Sequence, residues 1–288
     1  MPIRAKTFRA AIVCLSALLP ACVHAEGIDT EHLFGFMIGT DVGNVGEREF
    51  QSQTTGRFAK QGGSYRTVGQ EFELELVPVK NFRIEVGGVF AAHDIHGVPG
   101  LDDRRQLAWQ GASVDLRYRF LERDAAPFGL TFAVENNLSR IDETSAAAVR
   151  NFGTEFTLAF DREVIPNIAV AAINLTYQPE WTRLVGAGVT DRESTIGAAL
   201  GLMAQVRPGF FLGGEASYRR RYEGIGLEEL AGQALFIGPT AYFQLSPRSR
   251  LTAAWSAQAW GRPAGSNAAL DLVNFERHRA RLVFGVSF

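Results

Sequence analysis

Cysteine is absent after Cys22, lysine is absent after Lys80, and beyond residue 25 no apolar run approaches 18 residues. Each absence excludes something. From Glu26 to Phe288 there is no disulfide framework and no thiolate metal site. Without an apolar 18-mer there is no transmembrane helix. A basic excess is also missing. The whole chain carries a net charge of −2, and from Glu26 onward 26 basic residues face 31 acidic ones. That balance argues against a nucleic-acid partner. No phosphate-binding glycine loop, dinucleotide fingerprint or zinc spacing occurs, so no cofactor is expected. The scarcity of lysine also argues against a soluble sandwich, whose exposed face is dense in Lys and Glu.

What is present starts at the N-terminus. Arg4, Lys6 and Arg9 precede an apolar run from Ala10 to Leu19, and Val23 and Ala25 stand at small-x-small spacing before Glu26. This predicts a cleaved secretory signal over residues 1–25 and one exported domain over 26–288. Leu19-Pro20-Ala21-Cys22 also resembles a lipoprotein cleavage box, which leaves lipidation at Cys22 open.

The exported part is punctuated by Pro78, Pro127, Pro166, Pro208 and Pro247, separated by 49, 39, 42 and 39 residues. A period near 40 also suits a propeller blade, but a blade needs four short strands. Here each unit holds two long alternating runs and one longer loop, which is a hairpin meander. The first strand is expected at about His32–Val42, with Phe34, Phe36 and Ile38 on one face and Gly35, Met37 and Gly39 on the other. A polar, Gly-rich loop should follow from Gly43 to about Tyr65. The second strand sets Phe72, Leu74 and Leu76 against Glu71, Glu73 and Glu75. The pattern continues to a total of twelve strands. Pro239, inside the tenth, cannot donate a ladder hydrogen bond and predicts a bulge or break. The Ala- and Gly-rich eighth could slip register.

The last run, Arg277 to Phe288, also alternates. Ala280, Leu282, Phe284, Val286 and Phe288 share one face, and Arg277, Arg279 and Arg281 share the other. This end resembles the closing strand of Gram-negative outer-membrane β-barrels, whose assembly signal includes the terminal aromatic, here Phe288. The segment Ala231–Thr240, together with Asn274–His278, resembles a group of porin-like barrels without assigned function. The resemblance implies an outer-membrane location, contact with lipid and lipopolysaccharide, and handling by the barrel assembly machinery and periplasmic chaperones. The chain's own pattern agrees. Aromatics cluster at the short turns (Phe82, Phe120, Phe128, Phe160, Phe210, Phe243, Phe288) and at the opposite ends, as interfacial belts would. Backbone groups in lipid must pair internally, so the sheet must close. The expected fold is therefore all-β, a transmembrane up-and-down antiparallel barrel of about twelve strands, with short turns in the periplasm and longer loops outside.

The inward face carries both signs of charge. Glu71, Glu73, Glu75, Glu135, Glu155 and Glu215 are predicted to line the lumen with Arg83, Arg117, Arg119, Arg219, Arg221, Arg277, Arg279 and Arg281. The arginines of the last strand should reach over the glycines of the first toward the acidic ladder of the second. Either these charges line an aqueous path for small polar solutes, or they pair and fill a lumen intermediate in width. Two constellations suggest chemistry only weakly. His93-Asp94-Ile95-His96 lacks a third strong metal ligand nearby. His278, outward with Glu276 two residues before it, has no evident serine partner for lipid hydrolysis. The expected function is a passive, non-enzymatic channel. A non-conducting structural or adhesive envelope protein, and more distantly a lipid-modifying enzyme, are the alternatives.

Overall fold

The computed structural model describes residues 27–288 apart from residue 187. The expected signal segment and Cys22 lie outside the described residues. Twelve strands follow one another: β1 (Arg48–Phe58), β2 (Ser64–Val79), β3 (Phe82–His96), β4 (Arg104–Leu121), β5 (Gly129–Ile141), β6 (Ala148–Ile165), β7 (Ala169–Leu184), β8 (Asp191–Arg207), β9 (Phe210–Glu223), β10 (Glu229–Ser246), β11 (Ser249–Pro263) and β12 (His278–Ser287). All pair antiparallel with their sequence neighbours, and β12 returns to β1 to make a closed barrel. The closing seam runs from Glu49↔Ser287 to Phe58↔His278. No edge is left to template another strand.

The alternation places apolar side chains outside. Phe72, Leu74, Leu116, Leu175, Leu200 and Phe284 are all exposed, whereas Glu75, Arg83, Thr131, Asn174, Glu215 and Arg279 are buried on the inner face. A band of exposed apolar side chains around a cylinder is what a bilayer-facing surface requires. Rings pack together near both rims: Phe210 stacks on Phe243 at 4.6 Å beside the short turns, and Phe90 meets Trp109 edge to face at 5.1 Å toward the longer loops. The tightest turns use residues that tolerate positive φ, as at Asn81, Asn167 and Gly209.

The expected first strand is wrong. Residues 32–42 are not a strand, and β1 lies inside the stretch expected to be a loop. Two properties misled the reading. Phe34, Phe36 and Ile38 mimic a lipid-facing row, but they belong to a segment inside the barrel. The outer row of β1 is instead Phe50, Ser52, Thr54, Gly56 and Phe58, polar through its middle. Those hydroxyls are satisfied sideways. Thr54 Oγ1 donates to Gln70 Oε1 at 2.6 Å, and Gln70 Nε2 donates to Ser52 Oγ at 3.0 Å. Lateral pairing lowers the cost of facing lipid with polar groups. Around Pro239 the β10–β11 ladder does loosen. The register shift falls at Leu235/Phe236, and no pair is formed between Ile237 and Thr240. β8 keeps one register along β7 from Ala169↔Ala204 to Thr182↔Asp191.

Candidate functional site

Residues 28–42 lie in the lumen at the end that carries the short turns. Ile28, Leu33, Phe34 and Met37 pack on an apolar patch of the inner wall made by Val170, Ala172, Met203 and Phe211. The segment's backbone is then tied to polar side chains of the wall. The amides of Gly35 and Phe36 donate to the Glu215 carboxylate at 2.7 and 2.8 Å. Ile38 exchanges two bonds with the Asn174 amide, at 2.8 and 2.9 Å. Asp161, whose side chain is fully buried, accepts from the Thr40 amide at 2.9 Å and from the hydroxyls of Thr30 and Thr40 at 2.6 and 2.7 Å. Arg123 bridges Asp161 and Asp41 at 2.8 and 2.6 Å. An irregular segment buries backbone groups that need partners, and these inward polar side chains supply them.

Beside this segment lies a buried charge network. Arg83 is 1% exposed and reaches Glu85 at 2.7 Å, Glu31 at 2.8 Å and Glu75 at 3.4 Å. Arg117 joins Glu85 to Asp115 at 3.3 and 3.0 Å, and Arg250 pairs with Glu49. Five carboxylates thus meet three guanidiniums. Burial pushes Glu31 up to about 7 despite Arg83. Burial, with Arg250, Arg83 and Arg117 nearby, holds His32 well below its usual range. Glu31, His32 and Glu75 bring three potential metal donors together. Arg83 already stands where a cation would, so the cluster reads as an ion-pair network.

Above the segment the lumen opens into a polar cavity of about 480 Å³. Of the predicted lumen residues, Glu71, Glu73, Arg83, Arg117, Glu135, Glu155, Arg219, Arg221, Arg279 and Arg281 line it. The other four lie elsewhere. Glu75 is in the ion-pair network, Glu215 holds the segment, and Arg119 pairs with Asp41 at 3.1 Å near the short turns. Arg277 is exposed, just ahead of β12. The expected reach of arginines over glycines does not occur, because Gly35 and Gly39 are not on the neighbouring strand. On β1, Arg279 and Arg281 stand beside Arg57 and Thr55. Arg281 Nε donates to Thr55 Oγ1 at 3.0 Å and Nη1 to the Gly35 carbonyl at 3.2 Å. Asp161, Asn174 and Arg123 were not singled out from sequence. Their one signal is a polar side chain at inward parity, or in a turn, close to the short-turn rim.

The weak constellations do not assemble. His93 is buried with Nε2 3.1 Å from the Glu143 carbonyl oxygen, while His96 is exposed and pairs with Asp103 at 2.7 Å. His278 stacks on outward-facing Trp255, ring centroids 5.6 Å apart, and no serine bonds to it among the described residues.

Residues 26–288 match the model of a family of unknown function, DUF6662. No curated protein matches by sequence. Among solved structures, the COG4313 outer membrane channel from Pseudomonas putida F1 is similar, with a TM-score of 0.60 and 12% identity over 86% of this chain and 98% of that one. The translocator domain of autotransporter NalP from Neisseria meningitidis follows, with 0.51 and 14% over 86% and 91%. The β domain of the Bordetella autotransporter BrkA gives 0.50 and 14% over 85% and 100%. At such identities the likeness concerns the fold, that of an outer-membrane barrel.

Proposed function

The chain belongs to the DUF6662 family, whose members carry no assigned activity, and we propose from its interior that it is a passive outer-membrane channel for small hydrophilic solutes. The N-terminal segment constricts its periplasmic half. One observation carries the reading. Part of the charge lining the cavity above the segment is unpaired. Arg219 and Arg281 have no carboxylate within 4.0 Å among the described residues, and Glu73 and Glu135 have no cation within that range. A lumen that is merely filled would pair its charges, because an unpaired charge away from water costs several kcal/mol. Unpaired charges belong in an aqueous space. The similar Pseudomonas barrel is itself described as a channel, which supports the reading.

The seated segment favours the second reading, a non-conducting envelope protein. Single-channel recording in planar bilayers decides between them, on the full exported chain and on a chain lacking residues 29–42. Small or intermittent conductance from the first and larger, steady conductance from the second are expected. Silence from both, with an intact barrel by gel migration of unboiled protein, refutes the channel.

A further inference from the structure

Charges in this barrel fall into two populations by height. Toward the periplasm they are partnered: Arg83, Arg117 and Arg123 each lie within 3.0 Å of a carboxylate. Around the cavity some are paired, as Arg57 is with Glu143 and Arg221 with Glu193, and others are not. Glu71, Glu73, Glu135 and Glu155 stand on β2, β5 and β6, within one arc of the wall. Arg219, Arg279 and Arg281 stand on β9 and β12, within another arc.

The basic arc is also pre-set. Arg279 lies with its guanidinium carbon 3.9 Å from the Phe236 ring centroid and 5.0 Å from that of Phe36, and Arg281 is 5.2 Å from Phe36. Stacking fixes a guanidinium plane while leaving its N–H edge free for a planar anion. Arg279 is 7% exposed. It gives one hydrogen bond, from Nη2 to Ser217 at 3.1 Å, and its Nε lies 3.5 Å from the Glu276 carboxylate without a hydrogen bond. The guanidinium is thus held by rings while most of its five N–H donors carry no hydrogen bond. The facing Glu71 is steadied by Ser113 at 2.8 Å and Gln53 at 3.3 Å.

We propose that this cavity binds small zwitterionic solutes, with the carboxylate end on Arg219, Arg279 and Arg281 and the ammonium end toward Glu71, Glu73 and Glu135. A solute with both charges satisfies both arcs at once. A single-charge solute satisfies one and is repelled by the other. This deepens the channel reading and rests on it for the route by which the solute enters and leaves.

Calorimetric titration of the full exported chain in detergent tests binding without requiring conduction. The probes are ω-amino acids of four to eight carbons, with the diol, dicarboxylate and diamine of each length. At one length or more the amino acid is expected to bind at least tenfold more tightly than all three. Arg219→Gln with Arg281→Gln should erase that preference and leave the diamine bound, and Glu73→Gln with Glu135→Gln should erase it and leave the dicarboxylate. Gel migration checks that both variants stay folded. A dicarboxylate or diamine that binds as well as the amino acid overturns the proposal, as does an amino acid no better than its diol. Bilayer conductance without zwitterion preference sinks this proposal alone. Zwitterion binding by a barrel that never conducts sinks the channel reading alone.

Discussion

Truncating Glu215 to alanine should release the lumenal segment. Its carboxylate accepts the amides of Gly35 and Phe36 at 2.7 and 2.8 Å and the Thr240 hydroxyl at 2.5 Å. Hydrogen bonds to a charged group contribute about 1.5–3 kcal/mol each. The two that hold the segment are therefore together worth about 3 kcal/mol at the low end, the relevant end where cavity water can reach freed amides. Each 1.4 kcal/mol is tenfold in population, so the released form should rise about a hundredfold. The absence of cysteine from residues 26–288 makes this measurable. Val42 is 0% exposed within the segment, and Val42→Cys provides a single thiol that a polar maleimide reaches only when the segment leaves its seat. In the regime where opening and closing outpace reaction, the labelling rate reports the open population. Adding Glu215→Ala should raise it by about two orders of magnitude, and Glu215→Gln, which keeps one acceptor, by less. Thr240→Val removes only the contact within the wall and should leave the rate unchanged. Labelling no faster in Glu215→Ala, with the barrel intact, would refute the argument that this carboxylate holds the seat.

Other outcomes follow from the same geometry. Arg83→Ala strands Glu31, Glu75 and Glu85 without their shared cation, and a broken buried pair costs about 3–5 kcal/mol; denaturant unfolding in lipid should show a loss of that order. Leu175→Arg puts a charge on the lipid face of β7, where Leu175 is exposed, and should cost about 2–4 kcal/mol if the site is near the midplane, whereas Thr176→Arg on the cavity side should cost far less. Arg279→Glu removes a cation from the basic arc and should move bilayer ion selectivity toward cations; reversal potentials in a salt gradient read this directly. Seating should also depend on pH. Glu31 holds its proton up to about 7 when seated and releases it near 4.5 when free, so its contribution is complete below 4.5 and is lost as pH rises through 7. His32 is depressed when seated, so it opposes seating once pH falls below its ordinary 6.5. The Val42→Cys labelling rate, divided by that of the denatured chain at the same pH, should therefore fall from pH 8 to 6.5.

The barrel was legible because lipid enforces a rule that sequence can display: outward residues must be apolar along each strand, and closure forbids a polar edge. β12 shows it in five residues from Ala280 to Phe288. The rule was silent for β1, where Ser52, Thr54 and Gln70 satisfy one another on the outer wall, and it misfired at Phe34, Phe36 and Ile38. Periodicity records which side of the backbone a side chain takes. It does not record whether the backbone belongs to the wall or lies within it. The second fact depends on partners far along the chain, such as Asn174 for Ile38, 136 residues away.

The lumen itself was half legible for the same reason. Inward parity identified Glu71 and Arg281, yet it could not say which charges pair, because pairing depends on height and on the neighbouring strands. Glu75 and Glu73 are two residues apart on one strand and one face. Glu75 meets Arg83 at 3.4 Å beside the seated segment, and Glu73 faces the cavity with no cation in range among the described residues. The segment creates this difference. It packs the half that carries the short turns, where a buried charge survives only with a partner, and stops short of the cavity, where there is room for water. If residues 29–42 were removed, water would reach Glu75, Glu85 and Arg83. Their pairing would then weaken toward that of surface ion pairs, worth about 0–1 kcal/mol. In the chain lacking residues 29–42, Arg83→Ala should therefore cost much less than in the complete one. Equal losses in both would mean that the network is dry for reasons of its own, and that the segment does not divide the lumen.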